Sequence, residues 1–342
     1  MRGPLWTRPL WTRVVVAVAC AVFAVPALAS DIARDDPRDW LERMGSALES
    51  LNYEGTLVQL QGTDASVMRV VHRVENGVST ERVSAMDEVG REIIRRGEEV
   101  ICILPDQQAV MVDTRGEDQD GTSPLRKQFA SGVRFDDRYY RLAIASGGRL
   151  VGRDTHVVTV RPTDSYRYGY RVWLDRATAM PLKVQIASED GAVVEQLLFS
   201  DISLPERIPA SAVAPSVTID SFTWRRSPMP SKPGPTPAVG PPGWVVDSLP
   251  PGFSLRALPS ERQHPVETLE HLVYSDGVAS VSVFIEAGVA AVEQGEGPSR
   301  MGSANAYTTV LGGNLITAVG EVPARTVETI ARSVRPVASR TR

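Results

Sequence analysis

The sequence predicts a mainly β protein with α+β character: a large antiparallel sheet curling into an open or closed barrel, then a small α+β domain. Three observations carry this. Short segments rich in valine or isoleucine alternate with polar or glycine-bearing turns from residue 55 to residue 199. The stretch from Pro228 to Gly243 holds seven prolines and three glycines in 16 residues. Such chain supports neither a helix nor a central strand. Beyond it, a second series of short strands ends in one amphipathic helix, the pattern of a small sheet covered by a helix.

The large domain, 31–225, opens with a helix. Asp36 is placed to cap it, Pro37 suits its first turn, and Asp39 favours its positive end. Trp40, Leu41, Met44, Leu48 and Leu51 recur at helical spacing. Strands are then expected at 55–61, 66–74, 78–84, 91–96, 99–104 and 109–113, and again at 149–152, 155–161, 166–174, 180–187 and 192–199. Residues 122–145 are less periodic and read as a short helix near 124–130 with a mobile connection. In the 166–174 segment, Tyr166, Tyr168 and Tyr170 fall on one face, with Arg167, Arg171 and Trp173 on the other. Two readings stand: a core face with the arginines packing across Trp173 outside, or an amphipathic ligand groove. Residues 226–243 read as a semi-stiff linker.

The small domain, 244–336, is expected to hold strands at 253–258, 266–274, 278–286, 304–310 and 314–320, and a helix at 324–334. Ser275-Asp276-Gly277 makes a hairpin turn. Gly295-Glu296-Gly297 resembles the start of a dinucleotide loop, but no βαβ pattern surrounds it, and it reads as a flexible loop with Pro298.

Residues 1–29 have the three parts of a secretory signal: Arg2, Arg8 and Arg13, an apolar run from Val14 to Val25, and a small-x-small site at Ala27-Leu28-Ala29. The apolar run is short for a membrane anchor. A lipoprotein reading at Cys20 conflicts with the apolar chain that continues past it. Cleavage takes three arginines from a chain with 37 Lys+Arg against 41 Asp+Glu, leaving it more acidic than its formal charge of −4. That balance disfavours nucleic acid as a partner. Cleavage also removes one of two cysteines, so Cys102 stays without an intramolecular disulfide partner and reads as a small buried hydrophobe in a strand.

No catalytic signature emerges. The four histidines form no H-E-x-x-H pair, one mature cysteine cannot build a thiolate metal cluster, and G-x-S-x-G and G-x-x-x-x-G-K are absent. No cofactor, metal or catalytic residue is expected, although a carboxylate pair converging between strands would escape a linear reading. Binding chemistry is better founded. His271, Tyr274, Phe284 and Glu286 cluster around the hairpin turn as candidate partner contacts, with the terminal helix covering Phe284 as the alternative.

Several runs resemble the RseB/MucB family of periplasmic regulators of envelope-stress sigma factors. They are Asn52-Tyr53-Glu54-Gly55-Thr56, Arg91-Glu92-Ile93-Ile94-Arg95, Leu104-Pro105-Asp106, the segment from Tyr166 to Asp175, and Met180-Pro181-Leu182-Lys183. Leu249-Pro250-Pro251-Gly252-Phe253, the run from Glu270 to Glu286, and Val319-Gly320-Glu321-Val322-Pro323 continue the resemblance through the small domain. The family usually has an aromatic where this chain has Leu57.

The resemblance implies a large domain similar to the lipoprotein carriers of the periplasm, with helices in the mouth of an open barrel. It implies a non-enzymatic periplasmic regulator whose small domain helps to hold the periplasmic segment of a membrane anti-sigma factor. That segment would be shielded from a site-1 protease until lipopolysaccharide or a related lipid relieves the protection. Leu57, Tyr168, Tyr170 and Trp173 are the candidate lipid-binding residues. A lipid or lipoprotein carrier is the alternative function, and a homodimer is left open.

Overall fold

The computed structural model describes residues 36–97, 99–113, 125, 135–226, 243–257, 269–287 and 296–337. The expected signal segment, the helix near 124–130 (Leu125 apart) and the proline-rich linker up to Pro242 lie outside these residues.

Helix α1, Pro37–Ser50, begins where Asp36 accepts a hydrogen bond from the Arg38 backbone N–H at 2.8 Å. Pro37 in the first turn has no N–H to orphan. Trp40, Met44, Ala47 and Leu48 form its buried stripe. Eleven strands follow: β1 Tyr53–Gln61, β2 Asp64–Glu75, β3 Val78–Ala85, β4 Glu92–Arg96, β5 Glu99–Leu104, β6 Ala109–Asp113, β7 Tyr140–Leu150, β8 Arg153–Pro162, β9 Gly169–Asp175, β10 Pro181–Ala187 and β11 Val193–Ser203. With β12, Thr223–Arg226, they make one sheet in the order β12-β6-β5-β4-β3-β2-β1-β11-β10-β9-β8-β7. The sheet is open, with β12 and β7 at its edges.

Every pairing is antiparallel except β12 with β6. That exception follows from the route of the chain. After β11, at the middle of the sheet, it crosses the outer face of β2 to β4, where Ile208 and Val213 pack on Val71. Arg73 and Arg82 donate to the carbonyls of Ile208 and Ala214, and Ser216 donates to the buried Glu92 carboxylate. The chain then reaches the far edge running alongside β6.

The other face of the sheet packs on α1. Trp40, Met44 and Leu48 share a core with Tyr53, Leu57, Val70, Val158, Val172, Leu174, Val184, Leu197 and Phe199. Gly55 is required here: a Cβ would sit 2.4 Å from the Asp201 carbonyl oxygen and 2.9 Å from the Phe199 ring.

A second sheet has the order β14-β15-β16-β19-β18-β17: β14 Ser254–Ala257, β15 Leu269–Ser275, β16 Ser280–Ala287, β17 Gly297–Met301, β18 Ala304–Leu311 and β19 Asn314–Gly320. Helix α2, Ala324–Arg332, lays Val327, Ile330 and Ala331 on the face that carries Leu272, Val281, Val283, Ile285, Ile316 and Ala318. Two short strands, β13 Trp244–Val246 and β20 Val334–Pro336, pair with each other and join the two ends of this unit.

Several elements differ from the sequence reading, among them the short strands β12, β13 and β20, which it did not expect. Strand β7 begins inside the stretch read as irregular, at Tyr140, and runs to Leu150, where the strand expected at 149–152 turns instead. Tyr140, Leu142 and Ile144 alternate inward, but the pattern lapses at Ser146-Gly147-Gly148, where Gly147 must be small because a Cβ would lie 2.3 Å from Thr155 Oγ1. Gly297 and Pro298 open an edge strand rather than a loop, which an edge permits because proline has no ladder donor to lose. The terminal helix stops at Arg332, and Val334 belongs to β20. The strand expected over 166–174 begins only at Gly169, for a reason that concerns the site. Cys102, on β5, is half-buried, and burial pushes its thiol above 9.0, with Asp113 adding to the rise.

Candidate functional site

The tyrosine-rich segment does not run as one strand because its first half turns towards the second sheet. Asp164 accepts from the Tyr166 N–H at 3.0 Å and starts the turn. The Tyr166 carbonyl then accepts from Thr326 Oγ1 of α2 at 2.7 Å, so its hydrogen bond goes to the other body instead of a ladder. Arg167, expected on the solvent face beside Trp173, is instead fully buried. Its Nη1 lies 3.2 Å from Asp276 Oδ2 and its Nε 3.3 Å from Asp164 Oδ1, as ion-pair contacts outside hydrogen-bond geometry. Nη2 donates to the Pro251 carbonyl. The guanidinium sits over Tyr139 at 4.5 Å, with Phe253 at 5.3 Å and Tyr140 at 5.6 Å.

Asp276 is equally well occupied. Oδ1 accepts from the Val278 and Ala279 N–H groups at 2.9 and 2.8 Å, closing the hairpin turn, and Oδ2 accepts from Tyr140 Oη at 2.9 Å. Burial, then the neighbouring Asp276 charge, pushes the Tyr140 phenol far above its ordinary range.

Tyr168 belongs to the same junction. It is buried in the larger core, and its hydroxyl accepts from Asn305 Nδ2 of β18 at 2.9 Å; the same Nδ2 also donates to the Val322 carbonyl at 2.7 Å. Tyr170 and Leu57 are buried in the same core, which α1 shares. Burial lifts the phenols of Tyr168 and Tyr170. Trp173 is on the opposite face. It pairs with Lys183 across β9 and β10, with the ammonium 4.6 Å from its ring, and the row continues through Leu198 and Val58 on one side and Val157 on the other. The four lipid candidates therefore do not line one surface: three share a core face and one lies outside.

On the small sheet, His271 and Phe284 are register partners on β15 and β16, their rings stacked 4.3 Å apart at 15°. Glu286 is two residues along β16 and shares their face. This is the face away from α2, so the terminal helix does not cover Phe284. Tyr274, three residues from His271, points the other way into the core. The structure thus brings together His271, Phe284 and Glu286 and separates Tyr274 from them. Among the described residues, no group of three or more His, Cys, Asp or Glu side chains could hold a metal ion.

Two family models match this chain, the MucB/RseB N-terminal domain over residues 36–217 and the MucB/RseB C-terminal domain over residues 239–335. The chain belongs to the MucB/RseB family. A relative from Pseudomonas aeruginosa, the regulatory protein MucB of sigma factor AlgU, is 31% identical over 93% of this chain and 96% of its own. The sigma-E factor regulatory protein RseB of Escherichia coli K12 is 26% identical over 86% and 89%.

Solved structures of the Pseudomonas aeruginosa MucA/MucB complex and of MucB with MucA(peri) align at TM-scores of 0.67 and 0.65, with 28% and 26% identity. Each alignment covers 89% of this chain and 100% of the other. MucB alone aligns at 0.56 and 26% identity, over 88% of this chain and 98% of the other. These MucB/RseB relatives are named as regulators, not enzymes, and the chain is a regulatory protein of that family.

The residues that sequence reasoning missed are Tyr140, Asn305 and the pairing of Arg167 with Asp276. One signal was present: both charges sit inside the most distinctive motifs, beside aromatics, where ordinary surface charge has no reason to be.

Proposed function

We propose that this protein is a periplasmic regulator that binds the periplasmic segment of a membrane anti-sigma factor. In this reading, binding shields the segment from site-1 proteolysis, and lipopolysaccharide or a related lipid relieves the protection. The observation that carries it is the match to MucB over both sheets, together with structures of that relative in complex with MucA(peri). Inhibition of this kind needs no catalytic group, because a segment held on a folded surface cannot thread extended into a protease. A lipid relieves it if it prefers a form of the protein that binds the segment less well.

The face of the small sheet bearing His271, Phe284 and Glu286 is the proposed segment contact: half-buried, partly aromatic and away from α2. The α1-covered face that includes Leu57 and Tyr170 is the proposed acyl-chain site, and α1 must shift to admit a ligand because Trp40, Met44 and Leu48 fill it.

The test is calorimetric titration of the mature protein with the anti-sigma factor's periplasmic segment, followed by digestion with the site-1 protease. Stoichiometric binding, slowed cleavage and reversal of both by lipopolysaccharide are expected. Absence of binding by the full chain defeats the proposal.

A further inference from the structure

The two sheets keep separate cores, and what joins them is mostly polar. The larger core takes one partly buried apolar side chain from the hairpin of the small sheet, Val278. The other contacts described above are Arg167 with Asp276, the Pro251 carbonyl and the Phe253 ring, Tyr140 with Asp276, Tyr168 with Asn305, and Thr326 with the Tyr166 carbonyl. Gly252 adds a close approach: at φ +85°, a Cβ there would lie 2.4 Å from the Tyr139 ring.

Such a junction differs from a shared core. Apolar burial adds docking free energy in proportion to area, whereas a buried ion pair recovers by attraction little more than it loses by desolvation. What a buried pair supplies is selectivity. With both partners in place, one geometry satisfies every group; with one removed, the other is a buried charge without its counterion. Bodies joined by a small polar interface are expected to move relative to one another.

We propose that the Arg167–Asp276 pair is a releasable latch that decides whether the two sheets are docked. Arg167 engages three separate segments of the chain: Asp164 beside it, the Pro251 carbonyl before β14, and Asp276 in the β15–β16 hairpin. Its rings come from both bodies, Tyr139 and Tyr140 from the larger and Phe253 from the smaller. Undocking exposes this guanidinium and the Asp276 carboxylate to water together, which makes the transition two-state. The latch does not depend on which partner or lipid the protein binds.

The experiment measures the distance between the bodies by pulsed dipolar spectroscopy. Spin labels go at the exposed positions Val193→Cys and Met301→Cys of the full mature chain, in a Cys102→Ser background. The unaltered junction should give one narrow distance. Arg167→Met leaves the buried Asp276 without its counterion, and Asp276→Asn leaves Arg167 with only the partly exposed Asp164; each should convert the narrow distance to a broad, longer distribution. The asparagine still accepts from Val278 and Ala279, so the hairpin stays intact. The double variant carries neither charge and should move back towards the narrow distance. That recovery also separates undocking from loss of folding, which circular dichroism of each variant checks independently. Single variants that keep the narrow distance, or a double variant as open as the singles, overturn the proposal.

Discussion

His271 and Phe284 lie directly opposite each other on β15 and β16 with their rings stacked 4.3 Å apart, on the face of the small sheet that α2 leaves alone. An aromatic pair held rigid by a strand register offers contact area with little entropy left to lose on binding. Phe284→Ala should therefore weaken binding of the anti-sigma segment by about 2 kcal/mol, roughly 30-fold in Kd. The melting temperature should barely move, because Phe284 is outside the core. Calorimetry beside thermal unfolding checks both halves, and an unchanged Kd removes this face from the proposed interface.

Leu57 makes the opposite case. It is fully buried in the core that α1 shares, with Phe199 as its register partner on β11. Leu57→Ala should cost about 2–5 kcal/mol of stability from lost burial and the cavity left behind. If the α1-covered face is also the acyl site, the same variant should gain affinity for a slightly bulkier chain. Urea unfolding gives the first quantity and displacement of a fluorescent fatty acid the second.

Tyr168 donates no hydrogen bond across the junction; its hydroxyl receives one from Asn305. Tyr168→Phe removes that acceptor while Asn305 keeps the Val322 carbonyl, so the loss should be about 1 kcal/mol. Asn305→Leu also leaves the Val322 carbonyl and the Tyr168 hydroxyl unserved and should cost more. Thermal melts of the two variants decide the order.

What the sequence made legible follows from local physics. Asp36 and Pro37 start a helix by capping chemistry alone, and alternating valines on β2, β8 and β16 reveal strands wherever one face is apolar. Strand β7 was hidden although Tyr140, Leu142 and Ile144 alternate, because the pattern lapses at Ser146-Gly147-Gly148. Arg167 and Asp276 are more than a hundred residues apart in the chain, and no periodicity links them. Alternation treats the tyrosine-rich segment as one straight strand. The Asp164 turn and the hydrogen bond from Thr326 to the Tyr166 carbonyl explain why the strand begins only at Gly169. Site residues were harder than elements because a site depends on which faces meet, and that is a property of register and docking.

The last prediction concerns acid. Asp136 is partly exposed, and its carboxyl is held down at about 2, first by the Arg138 side chain, which donates to both oxygens, and then by the Arg138 backbone N–H. A depressed carboxylate contributes stability above its ordinary value of 3.8, and that contribution is lost as pH falls through about 2. The turn before β7 should thus stay intact at pH 3, where an ordinary aspartate is mostly protonated. Arg138→Met removes the side-chain donors but leaves the backbone N–H, so the midpoint should rise only part of the way to 3.8. Carbon-detected NMR titration of the Asp136 carboxyl reads both midpoints. An unaltered midpoint in the variant would assign the depression to the turn backbone instead of the guanidinium.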